Sequence, residues 1–171
     1  TTADWLDASD IDVEIPAELD GKLFWMYVVN DDLNTEGNPE LAQDDDITVY
    51  LSYYSSELST SYAKLAVDKN EVLKGDNVTI TVEQSDGGWP AKYIPAAGVT
   101  VYFGDETYIT DENGQVTVAV EAAGEYEVYA EKYAKSGIPE IVKTAKTSVI
   151  VETMAVTIRV EGIESTGTIL E

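Results

Sequence analysis

Between Asp31 and Asp46 the chain carries seven carboxylates and no base: Asp31, Asp32, Glu36, Glu40, Asp44, Asp45 and Asp46. Ca²⁺ takes roughly six to eight oxygen ligands and tolerates irregular geometry. Asp31, Asp32, Asp44, Asp45 and Asp46 are therefore candidate calcium ligands, and calcium is the one cofactor the sequence suggests. The ordinary reading of the same run is a solvated acidic loop. A second candidate is the loop DGGWPAKYIP, where Trp89 and Tyr93 stand among Gly87, Gly88 and Pro90. Exposed aromatic rings stack on sugars or anchor a protein partner. The ordinary reading is a Trp folded back over the end of its own domain. Asp111-Glu112-Asn113-Gly114 has some character of a calcium loop, but its Gly comes early and no Glu closes it. It reads as a hairpin turn, with Gly114 supplying positive φ. Lys64 or Lys69 could form an isopeptide crosslink with an Asn, although no motif supports it.

Catalysis has little to work with. The chain has no His and no Cys, which excludes Ser-His-Asp and Cys-His nucleophiles, zinc fingers, thiolate clusters and disulfides. Carboxylate pairs can cleave glycosides, but 33 acids in 171 residues make chance pairs inevitable. The sequence predicts no enzyme activity. A net charge of −23 repels phosphate backbones, so nucleic acid and anionic membrane are not expected partners. No apolar run approaches the ~20 residues that span a bilayer. The opening TTADW has neither Met nor a basic-apolar leader, as after removal of a signal peptide or in a piece of a longer chain. Strong acidity with abundant Thr, Val and Tyr favours the cell exterior. Asn77-Val78-Thr79 is a formal glycosylation sequon, and equally an ordinary strand start.

The elements that must position these groups are strands. Apolar residues are 44% of the chain, enough for a packed core. Val, Ile and Thr total 48 against 10 Leu, and branched side chains suit a pleated surface. Thr2–Ser9 has the pattern of two helical turns. Leu23–Asn30 (LFWMYVVN) is a nearly unbroken apolar run and reads as a buried central strand. Ile47–Tyr54 (ITVYLSYY) is another strand, and Tyr50, Tyr53 and Tyr54 read as sheet-face packing. From residue 63 onward the alternation is clean. Val78, Ile80 and Val82 oppose Thr79, Thr81 and Glu83. Val99, Val101 and Phe103 repeat this, as do Val116, Val118 and Val120, then Tyr126, Val128 and Ala130. Period two means one buried and one wet face, the sign of antiparallel sheets. With Leu65–Val67 and Thr147–Val151, that gives six or seven short strands in about 90 residues, the spacing of a β-sandwich. Finally, Val156, Ile158 and Val160 alternate with Thr157, Arg159 and Glu161 ahead of a turn at Gly162–Gly167.

Two resemblances attach to these residues. The string PAAGVTVYFGDETYITDENGQVTVAVEAAGEYEVYAEK resembles bacterial and archaeal Ig-like surface domains. Pro95, Gly98, Thr110, Asp111, Asn113, Gly114, Gly124, Tyr126, Val128 and Ala130 occupy that family's pattern. It implies an Ig-like fold over about residues 63–152, in modules that serve as spacers, adhesins and wall-protein repeats. The segments FWMYVVN…DDITVYLSYY and VTIRVEG…TIL resemble the closing strands and the opening hairpin of a β-grasp-like domain related to the C-terminal domain of transcobalamin. Asp31 stands where that family has Gly, and a Gly is missing before Asp45. This resemblance implies a partial domain at each end of the chain, and a corrinoid as one ligand class.

The combined expectation is an all-β chain: an Ig-like antiparallel β-sandwich over 63–152, a small partial β domain over 1–62, and a C-terminal β-hairpin or strand over 153–171. The expected function is a non-enzymatic extracellular building block of a surface layer, fibre or tandem repeat, whose partners are copies of itself or neighbouring repeats. Head-to-tail strand donation would place Val156, Ile158 and Val160 beside Phe24, Tyr27 and Val28 of a neighbour. The other expectation is a surface binding or adhesion module for a carbohydrate, corrinoid or protein.

Overall fold

The computed structural model describes residues 19, 21–35, 37 and 39–154. The helical turns expected at Thr2–Ser9, the hairpin with Val156, Ile158 and Val160, and Glu36 of the acidic run lie outside the described residues. The all-β expectation holds: no α-helix occurs among the described residues, and several sheets do. In chain order the strands are β1 (Leu23–Val29), β2 (Ile47–Tyr53), β3 (Ala63–Val67), β4 (Glu71–Leu73), β5 (Asn77–Ser85), β6 (Tyr93–Pro95), β7 (Thr100–Phe103), β8 (Glu106–Ile109), β9 (Gln115–Ala119), β10 (Gly124–Tyr133), β11 (Pro139–Ile141) and β12 (Thr147–Glu152).

They form three sheets. One has the order β4-β12-β10-β7-β8, with β11 also on β10. The second is built on β5, and the third is the pair β1-β2. The alternating residues point where their period demands. Val78, Ile80 and Val82 of β5, Val101 and Phe103 of β7, Val118 of β9, Val128 and Ala130 of β10, and Val149 and Val151 of β12 all join one hydrophobic core. Both larger sheets therefore bury one face against shared apolar neighbours, the dominant favourable term in folding.

Three expectations are corrected. Among the described residues the run Leu23–Asn30 is not a buried central strand. Its described partner is β2 alone, and Phe24, Trp25 and Met26 are 50%, 39% and 45% exposed. A continuous apolar run encodes hydrophobicity on both faces, not the neighbours that would cover them. The larger sheet is not wholly antiparallel, because β12 pairs β4 in parallel, Ile150 opposite Glu71. Alternation fixes which face is buried and says nothing of partner direction. The turn at Asp111–Gly114 is not a hairpin: β8 pairs β7, whereas β9 pairs β5. It carries the chain from one sheet to the other.

That crossing is fixed by β5. Strand β3 pairs residues Ile80–Gln84, β9 pairs Asn77–Thr81, and β6 pairs Glu83–Ser85. Hence β9 and β6 share the edge opposite β3, end to end. Val82 lies at their junction, donating to the Gly114 carbonyl at 2.8 Å and accepting from Ala96 N–H at 3.0 Å. Gly114 has φ +71°, and a Cβ there would meet the Val82 carbonyl oxygen at 2.4 Å. Asp111 holds the turn from inside, its carboxylate accepting from the N–H groups of Asn113 and Gln115.

A single device recurs at three places along the strands. Thr110 N–H donates to the Val99 carbonyl, and Val99 N–H donates to Thr110 Oγ1. Thr144 does the same with Ala130, and Thr60 with Tyr53. In each case the hydroxyl stands in for a main-chain carbonyl, so one residue satisfies both polar groups of its partner. All three threonines are buried. Thr110 Oγ1 also donates to the Ala96 carbonyl at 2.6 Å, and Thr60 Oγ1 to that of Pro139 at 2.9 Å.

Thr110→Val keeps the shape but leaves a buried N–H without an acceptor, and is expected to cost about 1–3 kcal/mol in denaturant unfolding, with Thr110→Ser closer to wild type. Gly114→Ala is expected to cost about 2 kcal/mol or more, from left-handed backbone strain together with the clash.

Candidate functional site

The acidic run and the aromatic loop, far apart in sequence, meet in space. β1 and β2 are joined by the long acidic loop, whose first residues turn sharply. Asn30 and Asp31 have φ of 52° and 58°, which Asn and Asp tolerate better than other side-chain-bearing residues. Asp32 N–H donates back to the Val29 carbonyl, and Thr35 Oγ1 accepts from Val29 N–H. This tight corner projects Asp31 and Asn34 against the core. The Tyr62 hydroxyl donates to Asp31 Oδ1 at 2.5 Å, and the Tyr93 hydroxyl to the Asp31 carbonyl at 2.7 Å. Asn34 pairs reciprocally with the main chain of Ala91, accepting its N–H at 2.8 Å and donating to its carbonyl at 3.2 Å.

The five candidate calcium ligands are not gathered into one cage. Among the described residues no three acidic side chains converge as metal ligands would. The carboxylates of Asp32 and Asp45 serve the loop itself. Asp45 takes the Asn30 side-chain amide at 2.7 Å and Ala42 N–H at 2.6 Å. Those bonds, Ala42 first, hold its carboxyl below the ordinary range. Asn30 Oδ1 accepts Asp46 N–H, and Asp32 accepts Asn34 N–H. Asp44 sits at φ 75° in the turn before β2.

The two aromatic candidates part company. Tyr93 is half-buried, with Lys64 Nζ 3.8 Å above its ring. Burial first, and then the negative charge of Asp31, pushes its hydroxyl pKa upward. Tyr93 is thus a brace. Lys64 also pairs with Glu83 at 3.5 Å. Trp89 is 76% exposed, followed by a cis peptide to Pro90. The loop beneath it is tied by Asp86, which accepts the N–H groups of Gly88 and Lys92. These two bonds lower the Asp86 pKa. Asn34 holds the same loop from the hairpin side. Trp89 is therefore a free ring on a fastened base.

Of the assembly residues, Val28 is buried, Phe24 is half exposed and Tyr27 is intermediate. Sequence reasoning missed Asn30, Asn34 and Tyr62, which do most of the docking. Their partners lie 15 to 57 positions away along the chain, beyond any local pattern. No protein-family model matches the sequence, and no curated protein does either.

Two outcomes follow from this geometry. Burial, with Asp31 adding to it, pushes the Tyr62 hydroxyl up to about 12 from its ordinary 10. The folded chain therefore holds that proton more tightly than the unfolded one. The associated stability is full below pH 10 and is lost as pH rises from 10 to about 12. Denaturant midpoints measured across that window should fall, and less steeply in Tyr62→Phe. Trp89→Ala, at an exposed site, should change stability by less than about 0.5 kcal/mol, so lost ligand contact in that variant is separable from misfolding.

Proposed function

We propose that this chain is a non-enzymatic building block of an extracellular surface layer or fibre, in which an Ig-like sandwich spaces a small β unit from the strand it offers to the next copy. The observation that carries the reading is the placement of the two ends. The β1-β2 pair is tied at one end of the core: Thr60 bonds Pro139, Ser61 N–H bonds the Glu140 carbonyl, and Ser85 N–H bonds the Tyr62 carbonyl. At the other end Lys74 N–H bonds the Glu152 carbonyl and Gly75 N–H that of Val120, beside Thr153 and Met154. The nine residues of β5 run between these ends, roughly 26 Å at ~3.3 Å per residue. A unit with an apolar pair of strands at one end and an alternating Val-Ile-Val segment leaving the other repeats head to tail, by a heterologous contact that propagates unless it closes a ring.

A second reading is favoured by Trp89 alone. A ring this exposed on a fastened loop suits a carbohydrate or protein contact in an adhesion module. Titration with glycans, followed by Trp fluorescence and repeated on Trp89→Ala, separates it from the first.

The building-block reading is tested by sedimentation. The full chain should show a weight-average mass that rises with concentration. A chain ending at Met154 should stay monomeric with an unchanged core unfolding transition. A full chain that remains monomeric at high concentration refutes the reading.

A further inference from the structure

We propose that the outer edge of β2, at Ile47, Val49 and Leu51, is the acceptor for the segment Val156–Val160 of a second copy. This rests on the self-assembly reading above and names the surfaces that meet.

The edge is assigned by hydrogen-bond parity. In an antiparallel pair, residues alternate between bonding the partner strand and pointing away from it. Asn30 N–H bonds the Asp46 carbonyl at 2.8 Å, and Tyr54 N–H bonds the Lys22 carbonyl at 2.9 Å. With the register Leu23 opposite Tyr53 through Val29 opposite Ile47, even-numbered residues form the β1-β2 bonds. Odd-numbered residues turn their N–H and C=O outward. The outward bonds agree: Val29 N–H goes to Thr35, and Tyr53 exchanges both its groups with Thr60. On β2 that leaves Ile47, Val49 and Leu51 directed away from β1, and no described residue pairs with them. Three N–H and three C=O groups in a row are a strand template.

The side chains fit the occupant. Ile47, Val49 and Leu51 share a face with Leu23, Trp25, Tyr27 and Val29. A strand centred on Ile158 continues that apolar face with Val156, Ile158 and Val160. Thr157 and Arg159 then fall on the face of Thr48, Tyr50 and Ser52. Arg159 is the only arginine in the chain, and Asp44, Asp45 and Asp46 lead directly into β2.

Reach decides that the donor is another molecule. Ile158 is four residues beyond Met154, at most about 14 Å of extended chain. Met154 sits beside Lys74 and Gly75. Strand β2 is anchored at both ends to the opposite end of the core, through Thr60 to Pro139 and through Asp31 and Asn34 to Tyr93 and Ala91. The length of β5 separates these ends, roughly 26 Å.

The test uses the absence of native cysteine. Val49→Cys and Ile158→Cys occupy the centres of the two segments, so they meet whichever way the strands run. Adjacent Cα atoms at roughly 4.5–5.5 Å suit a disulfide. Mixed single-cysteine proteins under mild oxidation should give a disulfide heterodimer on non-reducing electrophoresis. It should exceed by about ten-fold the heterodimer from Trp25→Cys with Ile158→Cys, because docking raises the effective thiol concentration. Capture by Trp25→Cys instead overturns the β2 assignment while self-assembly stands. Capture by neither, with a wild-type chain that still associates in sedimentation, overturns both the edge and the donor segment. Capture by neither, with a monomeric wild-type chain, removes the assembly reading as well. A disulfide within single molecules of the double variant at high dilution overturns the intermolecular step.

Discussion

The three residues Thr60, Ser61 and Tyr62 decide what the outer end of this molecule can do. Thr60 closes the end of β2 through Tyr53 and reaches Pro139 with the same hydroxyl. Ser61 exchanges main-chain bonds with Glu140 and Val142. Tyr62 packs its ring against Tyr50, with centroids 5.7 Å apart, and its hydroxyl donates a hydrogen bond to Asp31. A two-stranded sheet is marginal in water by itself. Here it is held by polar bonds at both of its ends, so it keeps a fixed orientation on the core without a large apolar interface. The requirement behind all of them is the same: a main-chain group removed from water must find a partner.

That requirement explains what could be read from the sequence. Val78, Ile80 and Val82 announced β5 because a sheet with one buried face writes period two into its residues. Each of the four alternating segments between Val78 and Ala130 became a strand with its apolar side in or against the core. The short strands β4, β6, β8 and β11 were not legible. Three or four residues are too few for a period, and their existence depends on a longer neighbour offering an edge. Their partners are β12, β5, β7 and β10. The parallel pairing of β4 with β12 was invisible for a related reason, since direction lies in connectivity and not in composition.

The candidate site was legible in its parts and not in its assembly. The density of carboxylates at Asp31–Asp46 was plain, and so was the aromatic loop at Trp89. Nothing local says that Asn34 will pair with Ala91, or that one aspartate will serve Tyr62 with its side chain and Tyr93 with its carbonyl. The polar side chains were also ambiguous in kind. Asp45 read as a candidate calcium ligand and Asp86 carried no reading, yet both spend their oxygens on nearby donors, which organises the loops they sit in. Thr110 shows the same ambiguity: it took its place in a family pattern, while its role as a substitute carbonyl needed the position of Val99.

Charge and exposed apolar surface act together at the β1-β2 pair. Phe24, Trp25, Met26 and Ile47 are exposed there, a cluster that ordinarily invites unspecific association. Each copy also carries −23, and the acids crowd the end of the pair where Val29 faces Ile47. Like charge keeps two copies of this end apart, most effectively at low ionic strength. A strand that brought its own arginine would meet less of that repulsion, and one that paired the outward groups of Ile47, Val49 and Leu51, which no described residue pairs, would gain bonds that a sliding hydrophobic contact does not. On the assembly reading proposed above, the acidic loop would act as a filter: it would discourage any apolar partner that cannot also complete the ladder of β2.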